Sequence, residues 1–301
     1  PIAEMLYEAM RYFAGAGAGT ARFLPNAGRA EGRTEETTMG LSTETWKDPY
    51  APTADGGGGF PFCARPFQTV ISDINPSYDG DLPGSAWATT DFNDGNPSTL
   101  SAFNAATEGG AIWTQEFGGA RNVFIGEVGN STDGAPTAKS ASSFGNIRGL
   151  APEEPTKRGT YYSASVARFA RNNDINAAQG RQSVITYAIA LASPLPKIEF
   201  PIGERMITLL PFAKTVSGTF GDGTRKPTNT IVDFYVQRVV NMPGQTVDTS
   251  VNGGRPPAAF RINYEDVEQG NDHDMDAIVL YEVVANANNT VTVRLTSEYA
   301  A

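Results

Sequence analysis

From Ser193-Pro-Leu-Pro196 onward no segment of the chain carries the apolar spacing of a helix, and this limits its folds more than any other feature. Six runs, Lys197–Pro201, Met206–Ala213, Ile231–Val240, Ala259–Tyr264, Ala277–Val284 and Thr290–Leu295, are short and separated by Gly, Pro and Asn. Such runs bury apolar surface only by stacking one sheet on another. Residues 196–301 are therefore expected to form an all-β domain, a β-sandwich or jelly roll.

The preceding residues, 1–195, read differently. Ile2, Met5, Leu6, Ala9, Met10 and Phe13 recur at helical spacing, with Pro1 suited to a first turn. Gly15-Ala-Gly-Ala-Gly19 ends that helix, and the turn-rich stretch from Thr20 to Gly59 reads as a long loop insertion. Phe67–Ser72 is a short β-branched run that delivers Asp73 to a strand end, and Asn122–Val128 is a second strand. Between Thr160 and Asn172, Tyr162, Ser165, Val166 and Phe169 predict another helix, and Gln182–Leu191 a further strand. Strands alternating with helical crossovers indicate an α/β layer, so the chain reads as α/β followed by all-β, divided near Leu195.

Composition excludes several partners. A net charge of −10 disfavours nucleic acid, which needs a positive field and released counterions. No run approaches the roughly 18 apolar residues of a membrane-spanning helix, so no membrane insertion is expected. Cys63 is the lone cysteine, which excludes an internal disulfide or a cysteine zinc site; it reads as a small buried apolar residue or as a bond to a segment outside the chain.

Acidic chemistry concentrates between Glu265 and Asp276, where Glu265, Asp266, Glu268, Asp272, Asp274 and Asp276 fall within twelve residues. Carboxylates that dense repel one another unless a hard cation or solvent neutralises them. Calcium takes six to eight oxygen ligands, and alternate Asp residues around Gly270 supply them. The spacing is not that of an EF-hand; the bland alternative is an exposed acidic hairpin with no ion. His273, the single histidine, reads as a solvated loop residue, and no Gly-x-Ser-x-Gly elbow accompanies it. Asp91-Phe-Asn-Asp-Gly-Asn96 is a weaker oxygen-rich loop. Trp46, Trp87 and Trp113 offer either core packing or sugar-stacking surfaces.

Tyr264-Glu-Asp266 and Asp272-His-Asp-Met-Asp276 resemble the calcium-binding hairpins of secreted bacterial β-sandwich domains. A wider resemblance runs through much of residues 1–195. Pro1-Ile-Ala-Glu-Met-Leu-Tyr-Glu-Ala9, Val70-Ile-Ser-Asp-Ile-Asn-Pro-Ser-Tyr-Asp-Gly-Asp-Leu-Pro-Gly-Ser85, Ser143-Phe-Gly-Asn-Ile-Arg-Gly-Leu-Ala151 and Ala188-Ile-Ala-Leu-Ala-Ser-Pro-Leu-Pro196 carry it. Together they resemble the PilY family of type IV pilus tip adhesins and biogenesis factors. The resemblance implies a von Willebrand A-like domain whose adhesion-site metal, magnesium or calcium, is held by an Asp-x-Ser-x-Ser loop, a Thr before a helix and an Asp ending a later strand. Asp73 matches that last Asp, although Ile74 stands where the family has Gly. The other ligands are expected in a missing N-terminal segment, which makes the domain incomplete here.

The resulting expectation is a non-catalytic type IV pilus adhesin or assembly factor, stabilised by calcium. It would be extracellular or on the cell surface, at the pilus tip or outer membrane of a Gram-negative bacterium, with minor pilins and a host or surface ligand as partners. A calcium-dependent carbohydrate-binding module and a subunit of an extracellular filament are the alternatives.

Overall fold

The structure is a computed structural model that describes residues 2–23, 38–40, 45–73, 75–87, 100, 102–129, 136–191, 198–213, 230–265 and 275–300. The chain divides into two compact units, Pro1–Ser131 with Ala138–Leu150 and Lys157–Leu191, and Thr132–Thr137 with Ala151–Thr156 and Ala192–Ala301.

Helix α1, Ile2–Phe13, opens the first unit. Its buried stripe is Ala3, Leu6, Tyr7 and Met10, whereas Met5, expected on that face, is 68% exposed. The stripe is rotated because a helix face follows its partners. The Tyr7 ring lies against Phe103, and its hydroxyl accepts the Leu100 N–H at 2.7 Å. Strand β1, Phe67–Asp73, pairs in parallel with a strand far along the chain, Ile185–Leu191. Between them lie α2, Ala105–Phe117, four short strands, β2 Arg121–Ile125, β3 Glu127–Val128, β4 Thr137–Ala141 and β5 Ile147–Arg148, and α3, Tyr162–Asn172. Ile185–Leu191 is accordingly β6.

Helix α3 buries Tyr162, Ser165, Val166 and Phe169, the expected stripe, within one core with α1, Leu82, Trp87 and Phe103. Helix α2 was not expected from the sequence. Its amino end is capped by Asn104, whose side chain accepts the Thr107 N–H at 2.8 Å. Asn104→Ala strands that donor and is expected to destabilise the protein by about 1 kcal/mol, with Asn104→Asp restoring most of the loss in urea melts. The glycine-rich stretch ending at Gly59 is a closed turn: the Gly57, Gly58 and Phe60 N–H groups donate to the carbonyls of Pro52, Asp48 and Pro49.

Among its described residues the second unit is built of strands and short 3-10 turns. Strands β7, Ile198–Ile202, and β8, Arg205–Leu209, form a hairpin. Strands β9, Thr230–Val239, β10, Pro257–Glu265, β11, Ala277–Ala285, and β12, Val291–Ala300, form an antiparallel sheet in the order β9-β10-β11-β12. Ile198, Phe200 and Ile202 of the hairpin pack on Ala258, Phe260, Val283 and Ala285 of that sheet. The two layers bury one face of each, as alternating strands require.

Candidate functional site

Strand β1 places Asp73 at its carboxyl end, opposite Leu191 of β6. The Asp73 carboxylate is exposed and accepts the Asn75 N–H at 3.1 Å, an arrangement that starts a turn. Among the described residues no three His, Cys, Asp or Glu side chains gather as a metal cluster.

The loop after Asp73 is tied to two helices by groups that sequence reasoning passed over. The Asp79 carboxylate, fully buried, accepts the Thr160 N–H at 2.7 Å, just before α3. Glu4, in the first turn of α1, accepts the Asp81 N–H at 3.2 Å. The Tyr162 hydroxyl accepts the Ala86 N–H at 3.0 Å and donates to the Gly145 carbonyl at 2.8 Å. The available signal was Glu4 itself, an acid three residues from Tyr7 on the apolar side of α1.

A second charged group lies nearby in the same unit. The Arg148 guanidinium pairs with Glu127 at 2.5 Å and stacks over Trp87 at 4.3 Å; both charged side chains are 7% exposed. Arg158 reaches the other Glu127 oxygen at 3.8 Å. These residues pair with one another and form a structural brace.

The acidic segment joins β10 to β11. Asp266, Glu268, Gly270, Asp272, His273 and Asp274 lie outside the described residues, as does the 91–96 loop. Glu265 ends β10 fully buried, and Asp276 directly precedes β11, so the two acids flank the Tyr264–Ala277 pair at the base of the hairpin. Met275 beside them adopts a left-handed backbone, φ 69°. Two carboxylates at a strand pair's mouth suit a hard, oxygen-seeking cation better than a soft one.

Comparison with known proteins resolves the family. A family model described as "PilY1 homolog, second domain" matches residues 1–170, more than half of the chain. The chain belongs to the PilY1 family. A model described as "PilY1 homolog, beta-sandwich" matches residues 200–301, in agreement with the two layers of the second unit. A relative from Xylella fastidiosa (strain Temecula1 / ATCC 700964), named "Type IV pilus biogenesis factor PilY1 homolog", is 50% identical over 307 residues. The match covers 100% of this chain and 20% of the relative, so the chain spans about a fifth of that PilY1 homolog's length. No solved structure matches.

Within this PilY1-family chain, two of the three tryptophans are core residues. Trp113 is 1% exposed, donates to the Gly119 carbonyl at 2.8 Å and packs edge-on against Phe117 and Phe144. Trp87 lies under Arg148. Neither presents a ring to a sugar. Cys63, by contrast, is exposed rather than buried. An apolar cavity of about 270 Å³ opens between the layers of the β-unit, lined by Ile198, Leu209, Phe234, Phe260 and Val293. Tyr264 and Tyr281 also line it, their hydroxyls 2.6 Å apart. Burial, followed by that hydrogen bond, pushes the Tyr264 hydroxyl far above the ordinary phenol range.

Proposed function

We propose that this chain is part of a non-catalytic, cell-surface factor that supports type IV pilus assembly or adhesion in a Gram-negative bacterium. The observation that carries the reading is the 50% identity, across the whole chain, to a protein named for pilus biogenesis. Minor pilins and a host or surface ligand are its proposed partners.

The first unit is read as the later portion of a von Willebrand A-like layer. Parallel sheets are normally covered on both faces. Here β1 and β6 turn Phe67, Ile71, Tyr187, Ile189 and Leu191 outward, with Ile71 70% exposed. A further strand and helix from elsewhere in the polypeptide would cover that face and bring an adhesion-site metal, magnesium or calcium, toward Asp73.

In the β-unit, calcium at the 265–276 hairpin is the proposed stabiliser. The six carboxylates within twelve residues support it, with Glu265 and Asp276 at the base of the hairpin, because acids that dense repel one another unless a hard cation or solvent neutralises them. Glu265, Asp266, Glu268, Asp272, Asp274 and Asp276 are the proposed ligands, and the role is structural.

A chimera tests the pilus reading. The Xylella fastidiosa homolog, with its matching fifth replaced by this chain, is expected to restore surface piliation to a strain lacking the homolog. An equally abundant chimera that leaves the cells without pili would overturn the reading.

A further inference from the structure

Two buried carboxyl groups in the first unit have no part in the proposed pilus role. Glu4 is 5% exposed and Asp79 is 0% exposed. Each uses one oxygen on a backbone N–H: Glu4 Oε1 accepts from Asp81, and Asp79 Oδ1 accepts from Thr160. The remaining oxygens, Glu4 Oε2 and Asp79 Oδ2, are buried without a hydrogen-bond partner among the described residues. A buried ionised oxygen in that state costs several kcal/mol, so the pair must take up something. Two free oxygens are too few for calcium, which takes six to eight, or for magnesium, which demands an octahedron. The Asp81 N–H that holds Glu4 lies two residues along the same loop from Asp79, which brings the two buried carboxyl groups into one neighbourhood, where one hydrogen held between them relieves like charges.

We propose that Glu4 and Asp79 share a single proton, and that this proton latches the first turn of α1 to the loop running from Asn75 to Trp87, so that the latch opens as the pH rises. Burial, then the neighbouring Asp79 charge, pushes Glu4 up to about 8, while its own backbone and the Asp81 N–H act in the opposite direction. Burial pushes Asp79 up to about 6 against its hydrogen bonds to Thr160. Among the described residues Tyr162 also faces Asp79, and Arg148 in turn faces Tyr162. The pair behaves as one coupled unit that holds one proton near neutrality.

The sign follows from proton counting. A carboxyl group raised in the folded state binds a proton that the unfolded chain has already released. Its stabilisation is complete below the ordinary carboxylate value near 4.5 and is lost as the pH climbs through about 8. Melting temperature in EDTA, measured from pH 5 to pH 9 on the 301-residue chain, tests the latch. Wild type is expected to lose about 5 °C more than Glu4→Gln between pH 6 and pH 9, because the amide supplies a permanent hydrogen to Asp79. Asp79→Asn provides the second arm: the Glu4 carboxyl carbon, followed by NMR, should titrate at lower pH once its charged neighbour is gone. Parallel melting curves for wild type and Glu4→Gln, or an unmoved Glu4 titration in Asp79→Asn, would overturn the proposal. So would calcium or magnesium restoring wild type, but not Glu4→Gln, at pH 8, since the pair would then hold a cation.

Discussion

Arg148→Ala is expected to destabilise the first unit by about 3–5 kcal/mol. The substitution leaves Glu127 buried with a negative charge and removes the guanidinium stacked on Trp87, an interaction of about 1–2 kcal/mol when shielded from water. Arg158 offers little rescue, since it lies 3.8 Å away and is 41% exposed. A paired substitution separates the causes. Arg148→Met with Glu127→Leu removes both charges and keeps the volume, so it should lose far less than Arg148→Ala alone. Urea denaturation of the three proteins measures the difference; equal losses for the single and double variants would mean that packing on Trp87, not an uncompensated charge, sets the effect.

Periodicity made α1, α3 and the strand content of the β-unit legible, because each writes its buried face into the local sequence. The Tyr162, Ser165, Val166 and Phe169 stripe lies where spacing puts it. Helix α2 was hidden by Gly109 and Gly110, which read as helix breakers. Gly109 answers to a contact that spacing cannot show. A Cβ at Gly109 would come 2.7 Å from the Gly145 nitrogen, and one at Gly145 would come 2.2 Å from the Ala106 oxygen. Backbone meets backbone there, and only glycine on both sides permits it.

The candidate sites divide along the same line. Asp73 at a strand end and the acids between β10 and β11 are local in sequence, so they were readable, and Glu265 and Asp276 stand at the hairpin base. Glu4 and Asp81 are joined across 77 residues, and Asp79 and Thr160 across 81. Burial of a carboxylate by such distant partners leaves no periodic trace. The exposed Cys63 makes the converse point: residue type sets a tendency to be inside, and the loop it sits in decides.

The calcium proposed at the acidic hairpin is expected to stabilise the β-unit by a large amount. A ligand present at 100 times its dissociation constant adds about 2.7 kcal/mol to the native state that binds it. Asp272, Asp274 and Asp276 alternate in the sequence, so replacing all three by Asn keeps their size and removes the charge proposed to recruit the ion. The direct measurement is the melting temperature of the chain in EDTA, after added calcium, and in sodium chloride of matched ionic strength. Wild type is expected to melt several degrees lower in EDTA and to recover with calcium but not with sodium, while the triple Asn variant responds to neither. A wild-type melting temperature that is the same in EDTA and in calcium would contradict the account.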